Sequence, residues 1–163
     1  MHTLTEKDIR ASFVNASQRE RTTLTLPADL ADLDWDSRDF LGWRDAKFAL
    51  QGYIVVPVDG DLIGVLLRQS EQRARSRPQC SWCEDVTLPN DVVFFSAKRA
   101  GKAGRIGDTV GTLACAHFEC PRNVRTLPPL AYPGFDREAA RDRRIAALRQ
   151  NVVNFARDIR DSR

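Results

Sequence analysis

The sequence predicts an α+β protein: a small mixed α/β lobe with a β-hairpin, then a cysteine-bearing lobe, then a C-terminal amphipathic helix. Three observations carry this prediction, namely a β-rich hairpin pattern, two close cysteine pairs and a long helical stripe of apolar residues. The chain has 163 residues, of which 42% are hydrophobic and 29% are charged. This composition is typical of a globular domain with its own core.

A short helix is predicted near the beginning of the sequence. Thr5 can cap it, and Glu6 and Asp8 place carboxylates in its first turn, where they complement the helix dipole. Residues 18–35 predict a loop with one helical turn. Residues 35–45, WDSRDFLGWRD, predict a loop or short helix that large aromatic side chains hold against the core, in preference to an exposed binding patch.

The strongest β signal lies at residues 51–68, QGYIVVPVDGDLIGVLLR. Two β-rich runs flank Asp59 and Gly60, a pair typical of the type I′ turn that joins hairpin strands. Pro57 indicates that its backbone faces a sheet edge near this turn. Residues 68–79 are polar and Arg-rich, and we expect them to link the two lobes.

A second pair of strands is predicted at residues 92–96 and 109–114. Between them, KRAGKAGRIGD (98–108) has three glycines and four basic residues and predicts a mobile cationic loop. Residues 121–134 contain four prolines and predict an extended connector.

A helix with one apolar face is predicted from Asp136 onward. Its apolar residues recur at spacings of 3, 4, 3 and 4: Ile145, Leu148, Val152, Phe155 and Ile159. This pattern favours packing on the helix's own domain, because two heptads are too few for a coiled-coil assignment. We therefore expect a monomer, with segments 1–72, 73–130 and 131–163 forming one compact unit.

Charge is unevenly distributed along the chain. Residues 1–72 carry 8 basic and 12 acidic side chains, residues 73–105 carry 7 and 3, and residues 106–163 carry 10 and 7. The basic second half indicates a polyanionic partner, an acidic protein surface, or simply an Arg-rich solubilising surface.

The most informative pattern is Cys80-Ser-Trp-Cys83, followed after 31 residues by a second pair, Cys115 and Cys120. Two close pairs around a hairpin-length insert are typical of a structural zinc site. The first pair can form a zinc knuckle, and the second is expected at a strand-to-helix junction. Four thiolates close the tetrahedron and leave no position for water, which favours a structural role over hydrolytic chemistry.

Other uses of the cysteines stay open. Disulfides fit the even count, but the sequence shows no export signal, and thiols stay reduced in the cytoplasm, where we expect this protein. A redox CxxC pair normally begins a helix in a βαβ unit, which Pro78 and the hairpin do not supply. An iron–sulfur cluster could use the same ligands. His117 either replaces Cys115 or Cys120 as a ligand or lies outside the metal's ligand set.

The net negative charge of four thiolates around a divalent ion needs compensation. Arg122 and Arg125 follow the second cysteine pair closely, and we expect them to supply it.

The residues from Cys80 to Arg125 resemble the treble-clef zinc finger (FBP domain) of elongation-factor-G-binding proteins, which include fusidic-acid-resistance proteins of the FusB type. The resemblance rests on C-SW-C, FFSAKRAGKAGRIGDTVGTLAC and HFECPRNVR, and the hairpin at 51–68 is similar to the lobe that precedes the finger. It implies a two-lobed fold and binding of elongation factor G in translation and ribosome release. The implied zinc ligands are Cys80, Cys83, Cys115 and Cys120.

The resistance proteins also carry an N-terminal helical bundle. Residues before position 50 contain too few helical positions to build one. The resemblance therefore implies binding of the factor more directly than fusidic acid resistance.

Three classes of function are compared with the sequence, and two of them use the basic loop. In a non-enzymatic binding module, Trp82 is either an aromatic anchor or a core residue packed on the hairpin, and four cations face an acidic factor surface: Lys98, Arg99, Lys102 and Arg105. In an RNA- or ribosome-binding zinc ribbon, the same loop contacts phosphates, and Trp82 or Phe118 stacks on a base. An enzyme is not expected, because the sequence has no P-loop, HExxH or GxSxG motif.

Overall fold

The computed structural model of the protein describes residues 1–72 and 76–161. Its helices are α1 (Glu6–Ser12), α2 (Gln18–Thr23), α3 (Gly101–Arg105), α4 (Cys120–Arg125) and α5 (Arg137–Arg160). Its strands are β1 (Leu41–Arg44), β2 (Gln51–Val58), β3 (Asp61–Gln69), β4 (Val92–Lys98) and β5 (Thr109–Cys115), and Leu30–Asp32 form a 3₁₀ turn. The predicted α+β class is confirmed.

The strands of the described residues form one antiparallel sheet in chain order, β1-β2-β3-β4-β5. β2 pairs with β3 at eight positions and β4 with β5 at seven. These two hairpins meet at only two positions in the described residues, Arg68↔Ser96 and Gln69↔Phe95. The sheet therefore consists of two ribbons joined at one corner. The first ribbon contains β1, β2 and β3, and the second contains β4 and β5.

The predicted hairpin at 51–68 is confirmed as β2 and β3. Asp59 and Gly60 have φ angles of 55° and 89°, as a type I′ turn requires. Pro57 pairs with Leu62 on β3 but lies beyond β1, whose pairing with β2 ends at Val55. The missing N–H of Pro57 therefore costs the sheet no hydrogen bond to β1.

Both predicted helix starts are present. Thr5 caps α1 in a reciprocal capping box with Asp8, and Asp136 caps α5 by accepting a hydrogen bond from the Ala139 backbone N–H at 2.9 Å.

Two local predictions are wrong. Residues 41–44 form β1 instead of a loop or short helix, because they pair with β2 and bury Leu41 and Trp43, which are alternate residues of the strand. The predicted cationic loop contains α3. Gly104 makes this possible, since a Cβ there would lie 1.8 Å from the Arg99 carbonyl oxygen.

The predicted extended connector at 121–134 is also wrong in its first part, which belongs to α4. Pro121 occupies the first turn of α4, where the missing N–H has no intrahelical partner to lose. Pro121 therefore marks the start of a helix and not an extended segment.

The β2–β3 hairpin is buried on both faces and separates two cores. One core packs the α1 region against Tyr53 and Val55. The other packs α5 and the cysteine segments against Ile54 and Val56, which alternate with the first pair along β2.

Helix α5 closes the second core, as the sequence predicted. Leu148, Val152, Ala156 and Ile159 are buried, and Ile145 and Phe155 are partly buried. The cysteine segments thus share one hydrophobic core with the first hairpin and α5.

The division of the chain at 72/73 and 130/131 stays a prediction, and part of the predicted linker at 68–79, residues 73–75, lies outside the described residues. Within residues 1–72 and 76–161, no helix combines the length and the apolar character that a bilayer span needs.

Candidate metal centre

Four buried cysteines meet in the second core. Cys80 and Cys83 flank a tight turn, Cys115 ends β5, and Cys120 begins α4, at the predicted strand-to-helix junction. Their four Sγ atoms lie within 4.8 Å of one another. The Sγ atoms of Cys80 and Cys120 are 3.7 Å apart, and those of Cys83 and Cys115 are 3.6 Å apart.

These distances fit one tetrahedral ion. A Zn–S bond of about 2.3 Å gives an S···S edge of about 3.8 Å in a tetrahedron, whereas a disulfide brings its sulfurs to about 2.05 Å. All four cysteines are free thiols with an exposed fraction of 5% or less. The cluster can therefore hold a metal ion in a closed, structural coordination shell.

The thiols by themselves compete for protons. Hydrogen bonding lowers the pKa of Cys80 and of Cys83, and the bond with Cys115 has the larger effect and the bond with Cys120 the next largest. Hydrogen bonding to Cys115, together with Cys80, Cys83 and burial, raises the pKa of Cys120. A divalent cation would resolve this conflict, because it binds all four side chains as thiolates.

Hydrogen-bond donors surround the sulfurs. The backbone N–H groups of Trp82 and Cys83 lie 3.4 and 3.5 Å from Cys80 Sγ. Asn123 Nδ2 lies 3.5 Å from Cys115 Sγ, and Asn123 is 2% exposed. Sequence reasoning missed Asn123, although its position three residues after Cys120 places both on one face of α4. Such donors stabilise thiolate charge and orient the ligands.

Neither of the two arginines predicted to offset this charge has a hydrogen bond to a sulfur among the described residues. Arg122 is exposed, and Arg125 forms an ion pair with Asp39 at 2.6 Å. Asp39 also pairs with Arg149 of α5 at 2.8 Å, and its side chain is 1% exposed. Asp39 therefore connects α4 and α5 to the segment that precedes β1.

A second buried carboxylate joins the first cysteine pair to α5. Asp85 has a 5% exposed side chain and pairs with Arg144 at 2.9 Å. Its other oxygen accepts hydrogen bonds from the backbone N–H groups of Thr87 and Leu88 at 3.0 and 2.8 Å. Both bridging acids were missed, because an isolated aspartate in sequence is typical of a solvated surface.

His117 is exposed, and the metal-ligating cluster in the described part of the chain consists of cysteines. This arrangement favours the interpretation that His117 is not a ligand.

Trp82 is buried in an aromatic cluster, with an exposed fraction of 1%. Its ring stacks on Phe118 at 6.1 Å and meets Phe40 edge-on at 5.6 Å and Phe155 at 5.5 Å between centroids. Trp82 therefore offers no surface to a partner in this structure. The placement favours the alternative in which it packs in the core.

Phe118 couples the second cysteine pair to the sheet. Its ring stacks on Phe95 at 5.2 Å and lies against Gly42 of β1 and Gly52 of β2. A Cβ at Gly42 or Gly52 would approach Phe118 to 2.6 or 2.8 Å, so a side chain at either position would displace the Phe118 ring. Phe118 thus packs the second cysteine pair against β1 and β2.

The predicted cationic residues lie at the far end of the β4–β5 hairpin. Lys98, Lys102 and Arg105 are exposed. Arg99 pairs with Asp108 at 3.2 Å and with Asp158 of α5 at 2.8 Å, so it also attaches this end of the hairpin to α5.

Comparison with known proteins agrees with this geometry. The family model of the FBP C-terminal treble-clef zinc-finger matches residues 8–159. A search of curated proteins finds no match. The solved structure of the fusidic acid resistance protein FusC has a similar fold, with a TM-score of 0.56 and 20% sequence identity over 76% of this chain. The match covers 53% of the FusC chain, so this chain corresponds to about half of that protein.

The family match spans nearly the whole sequence, and the four cysteines meet as a treble-clef zinc finger requires. The resemblance seen in the sequence is confirmed. The chain belongs to the FBP C-terminal treble-clef zinc-finger family.

Proposed function

We propose that this protein is a non-enzymatic zinc-finger protein that binds translation elongation factor G and acts in the cytoplasm as a monomer. The observation that carries the proposal is the buried four-cysteine cluster in a chain of this family. A closed thiolate set stabilises structure and leaves no open position for catalysis at the metal.

Zinc is the proposed ion, with Cys80, Cys83, Cys115 and Cys120 as its ligands. Two close cysteine pairs and tetrahedral S···S distances support zinc among the metals that thiolates bind. An iron–sulfur cluster would use the same ligands, and metal analysis distinguishes the two.

The ion would act as a rigid base for the binding surface. Cys115 pairs with Val92 at one end of the β4–β5 hairpin, and Lys98 pairs with Thr109 at the other end. A metal that fixes the first end therefore positions Lys98, Lys102 and Arg105 at the second. Exposed charges of this kind raise the encounter rate and select the orientation of an acidic partner surface.

The likeness to FusC supports a related role in translation. A more specific version of the proposal is that the protein releases the factor from stalled ribosomes and so confers fusidic acid resistance. The exposed basic residues of this chain support binding of the factor and do not bear on resistance. Resistance is tested separately, by expressing the chain in a susceptible host and measuring growth with the drug.

A pull-down with nuclease-treated elongation factor G, using zinc-quantified protein, tests the proposal. We expect stoichiometric zinc and retention of the factor, with both properties kept in the His117→Ala control. Zinc-loaded protein that fails to retain the factor would contradict factor binding. Retention that disappears with nuclease, together with binding to generic RNA that falls steeply with salt, would instead favour the RNA-binding alternative.

A further inference from the structure

A cleft of about 570 Å³ opens where β3 and β4 separate. The two strands pair at Arg68↔Ser96 and Gln69↔Phe95. Among the described residues on the N-terminal side of Arg68, β3 is no longer paired with β4. The segment between α1 and α2 runs beside β3 in place of β4, with a bridge between Phe13 and Gly64. The cleft is lined by the α1–α2 segment, α2, β3, β4, α3 and the start of β5.

The gap between the strands is spanned by one side chain. Asn15 Nδ2 donates to the carbonyl oxygens of Leu66 and Lys98, both at 3.0 Å. Asn15 Oδ1 accepts from the Leu66 backbone N–H at 2.8 Å. These bonds satisfy backbone groups that the divergence would leave unpaired, so the opening is a stable feature of the fold.

The cleft is strongly cationic. The ionisable residues that line it are five basic side chains and one acid: Arg21, Arg68, Lys98, Arg99, Arg105 and Glu20. The acid is already engaged, because Glu20 accepts hydrogen bonds from Ser17 at 2.8 Å and lies 3.6 Å from Arg68. Lys98 and Arg105 take part in none of the ion pairs among residues 1–72 and 76–161. The cleft therefore has cationic groups available for an anionic ligand.

Against the effect of partial burial, the pKa of Glu20 is lowered mainly by its hydrogen bonds from Ser17, and the cleft's positive charge adds a smaller effect. Partial burial opposes ionisation of Glu20, but the hydrogen bonds from Ser17 and the charges of Arg68 and Lys98 hold its pKa below its usual value. A carboxylate is thus a favourable group at this position.

We propose that the cleft binds an acidic polypeptide segment of the protein's partner, an inference that rests on the proposed function. Carboxylates accept charge-assisted hydrogen bonds from Arg and Lys. Single-stranded RNA is bound largely through bases stacked on aromatic rings, and the described lining residues include no aromatic side chain. The cleft adds Arg21 and Arg68, which precede the cysteines in sequence, to the basic residues of the 98–105 segment.

Fluorescence anisotropy with the full-length, zinc-loaded chain tests this inference. The probe is a short labelled peptide of alternating Glu and Gly, and a labelled oligouridylate is the competitor class. The cleft variant carries Arg68→Glu and Arg105→Glu. The matched control carries Lys47→Glu and Arg143→Glu, which make the same charge change at exposed residues outside the cleft.

We expect the cleft variant to bind the acidic peptide about tenfold or more weakly than wild type, while the control stays near wild type. Equal losses in both variants would mean that net charge alone attracts the peptide and would overturn the inference. Tighter binding of oligouridylate than of the peptide would overturn it as well. Thermal midpoints near wild type for both variants exclude unfolding as the cause.

A parallel pull-down with elongation factor G separates the two proposals. If the wild type and the cleft variant retain the factor equally, the cleft inference fails and the proposed function stands. If the wild type itself does not retain the factor, the proposed function fails, and the peptide measurement alone decides whether the cleft takes acidic segments.

Discussion

The two faces of the first ribbon are closed by different chemistry. On one face, Phe13, Trp43 and Tyr53 pack with ring centroids 5.0 to 6.4 Å apart, and the buried residues of this core all lie between Leu4 and Leu66. On the other face, the buried residues run from Phe40 to Ile159 and meet at the cysteine cluster.

This difference in sequence separation explains where a metal is useful. Closing longer loops costs more chain entropy, and the second core joins several segments that are distant in sequence. The first core needs only side-chain packing and a few hydrogen bonds. The second has a metal-ligating cluster where the first cysteine pair, the end of β5 and the start of α4 meet, so an ion there would fix these three segments at once.

Removal of one ligand tests this contrast with the largest expected effect. Cys115→Ser removes one of the four thiolate ligands and should abolish zinc binding. The effect on stability should be large, because structural zinc contributes roughly 10–16 kcal/mol in small domains, as much as a whole domain's stability of about 5–15 kcal/mol. We expect atomic emission to find no zinc and hydrogen exchange to accelerate most in β4, β5 and α4.

His117→Ala is the matched control and should keep its zinc, since His117 is exposed. Zinc-free Cys115→Ser protein with wild-type exchange rates in β4 and β5 would show that packing alone holds the second core.

Truncation of one aromatic ring in each core gives the next largest effect. Phe118→Ala and Phe13→Ala each remove a ring that is 4% exposed or less, and each should lower the free energy of unfolding by about 3–5 kcal/mol. Only Phe118→Ala should also release zinc faster to a chelator, because Phe118 lies between Cys115 and Cys120 in sequence. Urea unfolding and chelator competition measure the two effects. Equal zinc release from both variants would contradict the separation of the cores.

The features predicted from sequence are those with short-range patterns. The turn at Asp59-Gly60, the spacing within each cysteine pair and the repeat of 3 and 4 residues along α5 are patterns of a few residues, so local chemistry specifies them. The features that were missed depend on contacts that an element makes with residues outside itself, which no pattern within the element reveals. β1 exists because β2 pairs with it, α3 because Gly104 packs on Arg99, and Asn123 matters because β5 ends beside it.

The position of Trp82 illustrates the same limit. Its place between two cysteines was compatible with an exposed anchor and with a core residue. Trp82 is a core residue because three other aromatic rings pack on its ring. Phe118 is near it in the fold of the cysteine pairs, and Phe40 and Phe155 are far from it in sequence. Likewise, the cleft between β3 and β4 has no local signature, because its cations come from separate elements.

The smallest effect concerns the polar anchor of the first core. Asp45 is 6% exposed and accepts hydrogen bonds from Tyr53 Oη at 2.7 Å and from the backbone N–H groups of Lys47 and Phe48 at 2.7 and 3.0 Å. Burial opposes its ionisation, but these hydrogen bonds prevail and lower its pKa below the usual value. The folded protein therefore binds the Asp45 proton less readily than the unfolded chain does.

The sign of the pH effect follows from this lowered pKa. The stabilisation is fully present above the unfolded pKa of about 4 and is lost as the pH falls through the lower folded pKa. Asp45→Asn should therefore cost about 1–3 kcal/mol at neutral pH, and its difference from wild type should shrink below about pH 4. Zinc content should be unchanged at neutral pH, since Asp45 belongs to the other face. Urea unfolding at several pH values, with the exposed Asp61→Asn as control, measures this. A difference that is constant with pH would mean that Asp45 acts through shape and neutral hydrogen bonding, and the first core would then contain no charged anchor.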